Sequence, residues 1–128
     1  TLNCDVSLSN DISVDDVDLC CLIVNMLDNA IRGAKEAETD KSISIKIKEE
    51  NERIYISVSN YADMPDFESA EKLPSTKANK NHGYGTEIIR NIVQKYDGDV
   101  LFTCKEKKFS TALSIKDKRE EKNEITDL

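Results

Sequence analysis

A chain of 128 residues with 38% apolar and 34% charged side chains is long enough for one domain with a real core and a strongly charged surface. Its net charge of −7 argues against binding to a nucleic-acid backbone, and no apolar run approaches the roughly 20 residues of a membrane span. The four cysteines form no CxxC motif and the single histidine leaves little for a zinc site, so we expect reduced thiols without a disulfide frame.

The first predicted elements are an edge strand over residues 3–8 and a long helix over about 14–38. Ser13 and Asp16 have the spacing of a capping box at the start of this helix. Gly33, inside the helix, leaves room for another group to approach the backbone closely. Apolar residues at intervals of three and four predict the core face, formed by Val17, Cys20, Val24, Leu27, Ile31 and Ala34.

Alternating apolar and polar residues then predict two strands, at 43–47 and 54–58, joined as an antiparallel hairpin. The stretch 61–81 contains both prolines and has no periodicity, which is typical of a long functional loop. A second helix is predicted after Gly85, and it ends at Gly98, where we expect a left-handed C-cap.

Two further strands are predicted at 100–104 and 109–115, and the charged residues 117–128 are predicted to be a frayed tail. The order β–α–β–β–loop–α–β–β predicts an α+β fold. We expect a two-layer sandwich in which two helices cover one face of a mixed, mostly antiparallel sheet of about five strands.

Two features predict a nucleotide site between the two helices. Asn25 and Asn29 lie one helical turn apart, so both amides are on one face of the first helix. Asparagine is a poor residue for a helix interior, because its side chain competes for backbone hydrogen bonds. The glycines in the segment 82–85 (HGYG) open the second helix, whose N–H groups are suited to an anion.

The segment 25–31 (NMLDNAI) resembles the N-box of the GHKL superfamily, and the segment 82–98 resembles its second glycine box and following helix. The similarity is greatest to the catalytic ATP-binding domain of peptide-sensing histidine kinases of the accessory-gene-regulator type. In that group the phrase Pro74-Ser-Thr-Lys77 before HGYG is typical. The resemblance covers about residues 15–115 and implies the Bergerat fold with ATP and Mg²⁺ as cofactors.

The resemblance also implies roles for the two asparagines. Asn29 matches the family's magnesium ligand, and an amide oxygen is a hard donor that suits this ion. Asn25 stands where hydrolysing members of the superfamily have a glutamate that activates water. An amide cannot act as a general base, so this position favours phosphoryl transfer to a partner over hydrolysis. The alternative is that the two amides only cap neighbouring loops.

Further contacts to the phosphates are implied by an ATP lid over about 61–82. Its Lys77 and Lys80 ammonium groups are expected to meet the β- and γ-phosphates, Thr76 is expected to add a hydroxyl, and His82 is expected to contact the phosphates or the lid. The alternative for Lys80 is a solvated loop lysine. The following turn is expected to bring backbone N–H groups to the phosphates, with Gly83, Tyr84 and Gly85 counted in the nucleotide site.

The adenine contact departs from the usual family pattern. Most members carry a DxGxG motif after the second hairpin strand, and its aspartate holds the adenine amino group, whereas this chain has the segment 59–63 (SNYAD). Asn60 stands at the matching place, and its side-chain oxygen is able to accept a hydrogen bond from adenine N6. Asp63 has the wrong offset for this task. The alternative is that Asn60 only turns the chain.

The resemblance implies a domain over residues 1–116 that binds Mg-ATP and donates the γ-phosphate to a histidine. That histidine is expected on a dimerisation domain outside this sequence, with a response regulator downstream. The domain is expected to be the cytoplasmic part of a membrane-anchored bacterial sensor kinase, without direct membrane or nucleic-acid contact. The missing DxGxG motif leaves a nucleotide-poor docking module as an alternative, and a GHKL serine kinase or an ATPase is less favoured.

Overall fold

A computed structural model describes residues 1–9, 11–38, 40–69 and 83–117. The elements in chain order are β1 (Leu2–Ser7), α1 (Asp16–Glu36), β2 (Ile43–Glu50), β3 (Arg53–Tyr61), β4 (Phe67–Ser69), α2 (Gly83–Lys95), β5 (Asp99–Lys105) and β6 (Lys108–Lys116). The strands form one sheet in the order β1-β2-β3-β6-β5-β4. The β1–β2 pair is parallel and the other described pairs are antiparallel, so the predicted mixed α+β fold is confirmed.

The sheet extends further than the sequence predicted. Tyr61 completes β3, and the segment 67–69 forms β4 against β5, although both were predicted to lie in the lid. β4 has only three residues and therefore shows no alternation that a sequence pattern detects. The remainder of the predicted lid, residues 70–82, lies outside the described residues.

Both hairpins turn through two residues with left-handed backbone. Asn51 and Glu52 have φ of 53° and 64°, and Glu106 and Lys107 have φ of 52° and 64°. This conformation matches the right-handed twist of the paired strands, as in type I′ turns. It fixes the registers of β2–β3 and β5–β6.

The core lies between the two helices and one face of the sheet. Inward-facing Ile54, Ile56 and Val58 of β3 are buried, whereas Tyr55 points from the other face. Each such aliphatic side chain contributes about 1.5–3 kcal/mol when it is buried. Neither helix in the described part of the chain combines the length and apolar character that a membrane crossing needs.

The core face of α1 differs from the predicted one. Leu22, Met26 and Ala30 are buried, and so is Ala34, which was predicted. The predicted row is exposed at Cys20 and at Val17, Val24 and Ile31, which are 69%, 63% and 44% accessible. The run from 19 to 24 (LCCLIV) is apolar around the whole helix, so apolar rows exist on both sides, and packing against the sheet selects one of them.

Two segments that are distant in the chain meet near the start of α1. Asp15, not Ser13, caps the helix, because its Oδ1 accepts hydrogen bonds from the backbone N–H groups of Val17 and Asp18 at 2.8 and 3.4 Å. The backbone N–H and hydroxyl of Ser13 instead donate to Asp117, which is 1% exposed. Asp117 therefore belongs to the folded domain and not to the predicted tail, whose residues 118–128 lie outside the described residues.

Gly98 ends α2 by a different geometry from the predicted one. Asp97, with φ of 51°, takes the left-handed position, and no described glycine has positive φ. The N–H of Gly98 donates to Val93 O at 2.9 Å and that of Asp97 to Gln94 O at 3.2 Å, which is the Schellman pattern. A Cβ at position 98 would overlap the carbonyl oxygen of Ser114, so glycine is needed here for close approach to β6.

The two helices are joined near the start of α1 and the end of α2. Asp18 Oδ2 accepts hydrogen bonds from Lys95 Nζ at 2.8 Å and from the Tyr96 hydroxyl at 2.5 Å. The Tyr96 oxygen also accepts from the backbone N–H of Asp15 at 3.2 Å. The bonds from Lys95 and then Tyr96 lower the pKa of Asp18, while burial and the bond to Asp18 raise that of Tyr96. We call these four residues the helix clamp.

Candidate functional site

The two asparagines of α1 lie on the side that faces α2. Asn29 is 5% exposed and Asn25 is half-buried. The side-chain N–H of Asn25 donates to Cys21 O, one turn back, at 2.7 Å. This bond uses a donor of the amide and leaves its oxygen directed away from the α1 backbone.

The first turn of α2 approaches these amides. A Cβ built on Gly85 would lie 3.2 Å from Asn25 Oδ1 and 3.8 Å from Asn29 Oδ1. The structure thus brings Gly85 to two residues that are distant from it in sequence, Asn25 and Asn29, and two amide oxygens meet at one glycine. Any larger side chain at position 85 would fill the space in front of them.

The electrostatic character of this junction suits a metal-bound anion. The start of α2 carries the partial positive charge of a helix N-terminus, and no acidic residue stands in its first turn. Amide oxygens are hard ligands for Mg²⁺, which usually keeps one or two protein ligands and takes the others from phosphate and water. Across the described residues, no cluster of three His, Cys, Asp or Glu side chains offers a complete protein cage. The donor set therefore fits Mg²⁺ carried by a polyphosphate.

A second buried amide belongs to β3 and lies beside Gly33 in a later turn of α1. Asn60, at the end of β3, is 2% exposed, and its Nδ2 donates to Tyr61 O at 3.0 Å. Its Oδ1 is buried, and among the described residues no donor forms a hydrogen bond with it. An unsatisfied buried acceptor costs about 1–3 kcal/mol, so this atom has a strong requirement for a donor. The exocyclic amine of adenine is such a donor.

Gly33 makes room for this amide. A Cβ on Gly33 would lie 2.5 Å from Asn60 Nδ2, which is closer than any unstrained contact. The prediction that Gly33 admits a close neighbour is confirmed, and the neighbour is the Asn60 side chain. Asp63, the alternative acceptor in this region, is exposed and forms an ion pair with Lys107 at 3.5 Å.

The remaining predicted site residues are described only in part. Thr76, Lys77 and His82 lie outside the described residues. Gly83 and Tyr84 form the start of α2, and only their backbone is described. The structure therefore brings together the predicted site residues of the two helices, Asn25, Asn29 and Gly85. The contacts from the lid stay predictions.

One polar residue beside the site was missed by the sequence analysis. Thr111 is 1% exposed on the inward face of β6, where it pairs with Val58 of β3. The next inward position along β3 is Asn60. The sequence does contain a feature that could have identified Thr111. In the inward-facing row 109, 111, 113 and 115, threonine is the one polar residue among Phe, Leu and Ile.

Comparisons with known proteins identify the family and the fold. A family model described as a GHKL domain matches residues 14–116. The fold is similar to the catalytic domain of histidine kinase ThkA in a nucleotide-free form, with 20% identity, a TM-score of 0.64 and coverage of 91% of this chain and 80% of that one. Among curated proteins, none matches the chain.

Two further solved structures share the fold. Acinetobacter baumannii histidine kinase AdeS has 12% identity and a TM-score of 0.62, over 92% of this chain and 55% of that one. The histidine kinase domain of the Erythrobacter litoralis EL346 blue-light activated histidine kinase has 14% identity and a TM-score of 0.62, over 94% of this chain and 54% of that one. This chain therefore spans about half the length of these two proteins. At such identities the likeness establishes the fold alone.

Proposed function

The chain belongs to the GHKL domain family, whose model matches residues 14–116, and from this premise we propose that it binds Mg-ATP between α1 and α2. The observation that carries the proposal is the meeting of Asn25 Oδ1, Asn29 Oδ1 and Gly85 at the start of α2. When bound, Mg²⁺ neutralises phosphate charge and orients the terminal phosphate.

The two asparagines have different roles in this proposal. Asn29 supplies an oxygen ligand to the metal, and it is held in place by its burial between the helices. Asn25 faces the phosphates and has no basic atom with which to take a proton from water. The chain therefore positions the γ-phosphate without activating water, and the nucleophile comes from a partner.

Asn60 recognises the base in this proposal. Its Nδ2 is fixed by Tyr61 O, so Oδ1 is presented as an acceptor and receives the adenine amino group. A guanine base carries a carbonyl oxygen in place of that amine. This oxygen and Asn60 Oδ1 are both acceptors, so no hydrogen bond forms between them. Thr111 adds a polar group next to this position.

The other predicted contacts complete the site. We propose that the lid, within 61–82, brings Thr76, Lys77 and His82 to the phosphates. The backbone at Gly83 and Tyr84 faces the same anion at the start of α2.

We also propose the wider setting. The domain, over residues 1–116, serves as the catalytic domain of a bacterial sensor histidine kinase of the accessory-gene-regulator group. It transfers the γ-phosphate to a histidine on a dimerisation domain, from which a response regulator takes it. It lies in the cytoplasm beside the membrane-anchored part of that kinase.

Calorimetric titration with ATP, in the presence and absence of Mg²⁺, tests the nucleotide site. We expect the wild type to bind ATP in a magnesium-dependent manner and to bind Mg-GTP more weakly. In Asn29→Ala we expect the magnesium dependence of ATP binding to be lost. Asn91→Ala is the matched control, because Asn91 is an exposed asparagine of α2. Magnesium-dependent binding that survives in Asn29→Ala would remove this residue from the site.

One observation favours a second candidate, a docking module that binds nucleotide poorly. An uncharged amide at position 60 is a weaker acceptor than the aspartate that most of the family carries. The same titration decides between the two functions, since a docking module gives no heat at millimolar Mg-ATP.

A further inference from the structure

The strand β1 forms one edge of the sheet, where β2 is its neighbour on one side and no other described strand pairs with the opposite side. The carbonyl of Thr1 accepts a hydrogen bond from the N–H of Ile43 at 2.9 Å, which sets the direction of the backbone groups that follow. Because these groups alternate along a strand, the N–H and C=O of Leu2, Cys4 and Val6 point away from β2. We call these three residues the free edge.

The side chains of the free edge are apolar and exposed. Leu2 and Val6 are each 56% accessible, and Cys4 is exposed as well. Cys4 and Val6 are in register with Ile45 and Ile47 of β2, which are buried in the core. The apolar face of the sheet therefore continues past its last covered strand.

The free edge lacks the features that usually prevent one strand from pairing with another. Natural edge strands are protected by lysine, by proline or by a bulge. The segment 2–7 (LNCDVS) contains neither lysine nor proline, and its register with β2 runs through six consecutive pairs without a bulge. Its single charge, Asp5, has Lys46 as its register partner on β2. A flat edge of low charge is a template for a further strand.

The sequence of β1 is complementary to itself. Two copies related by a two-fold axis pair the same strand in antiparallel orientation. The register centred on Cys4 places this residue opposite its own equivalent and Leu2 opposite Val6 of the second copy. In this register all three residues of the free edge exchange N–H···O bonds at once. On the other face of the sheet, Asn3 then meets Asp5 of the second copy, so an amide and not a like charge faces the carboxylate.

We propose that the free edge pairs with the same strand of a second copy and joins the two sheets into one continuous sheet. One strand offers less than the roughly 800 Å² per partner that a stable complex buries, so the dimer is weak and dissociates on dilution. This surface goes beyond the proposed function, since it needs neither nucleotide nor metal.

The charge of the chain gives the dimer a characteristic salt dependence. Two copies with a net charge of −7 repel each other, whereas the free edge itself contains no charged side chain. Salt screens the repulsion between distant charges and leaves backbone hydrogen bonds and apolar contacts in place. Association should therefore strengthen as the salt concentration rises, the reverse of a contact that depends on ion pairs.

Sedimentation equilibrium under reducing conditions measures this association, from micromolar to millimolar protein. We expect the dimer fraction to rise with protein concentration, and to be larger at about 1 M salt than at about 0.1 M salt. A wild type that stays monomeric at millimolar concentration in both salts would overturn the inference.

Substitutions in the free edge test its backbone groups directly. Val6→Pro removes an N–H that points away from β2 and leaves the bonds between β1 and β2 in place, so the dimer should weaken at least about tenfold. Val6→Thr is the matched control, because it keeps this N–H and the β-branched shape, and it should dimerise within about threefold of the wild type. Equal effects of the two substitutions would contradict the proposed pairing.

A charge in the free edge gives an independent test. Cys4→Lys places two ammonium groups opposite each other in the proposed register and should dissociate the dimer. Leu101→Lys makes the same change in charge at a partly exposed position of β5 and should leave the dimer intact. A dimer that survives Cys4→Lys lies on another surface.

Thiol oxidation reports the register. In an antiparallel hydrogen-bonded pair the Cα atoms are about 5.5 Å apart, which a disulfide spans. In a Cys20→Ser/Cys21→Ser background, which removes the other two accessible thiols, copper-catalysed oxidation should link two copies through Cys4. The control Cys4→Ser/Ser7→Cys in the same background should link far more slowly, since position 7 lies opposite position 1 of the second copy. Equal rates would reject this register.

Mg-ATP calorimetry on the same proteins separates this inference from the proposed function. Val6→Pro and Cys4→Lys should bind Mg-ATP as the wild type does, because neither residue is in the nucleotide site. If Mg-ATP binds and the chain does not dimerise, the pairing of β1 is wrong and the nucleotide site stands. The reverse result rejects the nucleotide site alone.

Discussion

At the scale of single residues, two glycines define the candidate site. Gly85 leaves space in front of the oxygens of Asn25 and Asn29, and Gly33 leaves space beside Asn60. The sequence predicted both asparagine positions of α1 and the need for a small residue at position 33. It did not predict that the neighbour of Gly33 is Asn60, because this contact joins a helix to a strand that is distant in the chain.

The contact between Gly33 and Asn60 gives a stability prediction. Alanine in place of a helical glycine normally stabilises a helix by about 1 kcal/mol. Gly33→Ala should instead destabilise this domain, because the new Cβ would lie 2.5 Å from Asn60 Nδ2. In an Asn60→Ala background the obstacle is absent, and the same substitution should stabilise the domain. Urea unfolding of the four proteins measures the coupling. An equal effect of Gly33→Ala in both backgrounds would contradict the close contact.

At the scale of elements, α1 shows where sequence patterns fail. Strand alternation correctly located β2, β3, β5 and β6, because one face of each is apolar and the other polar. The run LCCLIV of α1 is apolar on every side, so the pattern alone was compatible with either core face. Packing against the sheet buried Leu22 and Met26 and left Val17 and Val24 exposed.

The helix clamp gives a pH prediction. Hydrogen bonds from Lys95 and then Tyr96 lower the pKa of Asp18 below its ordinary value of 3.8. A carboxylate whose pKa is lowered by folding stabilises the fold above its unfolded-state pKa, and this contribution is lost as the pH falls through the lower, folded-state pKa. Below about pH 4, the wild type should therefore lose stability more steeply than Asp18→Asn.

Chemical denaturation over a pH series measures this difference. Asp16→Asn is the control, because it removes one negative charge from the same turn without touching the helix clamp. Parallel acid curves for the wild type and Asp18→Asn would show that ionisation of Asp18 does not stabilise the fold.

At the scale of the whole molecule, the sequence predicted the class of fold and not all of its connections. The parallel pairing of β1 with β2 and the position of β4 depend on contacts between distant segments. Ser13 and Asp117 are 104 positions apart in the chain, yet they form a partly buried contact that no local pattern reveals. The lid residues of the site remain predictions, since they lie outside the described residues.

The proposed transfer of the γ-phosphate to a partner domain gives a further prediction. The purified chain incubated with Mg-ATP should incorporate no phosphate into itself, because the proposed nucleophile is a histidine on another domain and His82 is the one histidine in this sequence. Mass spectrometry under neutral conditions, which preserve phosphohistidine, checks this. Efficient self-phosphorylation would place the acceptor within this chain and contradict the proposed transfer to a partner.

The proposed position of metal and nucleotide is the point where the start of α2 meets the two asparagines of α1. Titration with Mn²⁺-ATP in place of Mg²⁺-ATP, followed by amide NMR, tests it most directly, because Mn²⁺ broadens the signals of nearby nuclei. Broadening should be strongest at Asn25, Asn29 and Gly85, and weak at Val6 in the edge strand β1. Strongest broadening elsewhere, or none at saturating Mn²⁺-ATP, would contradict it.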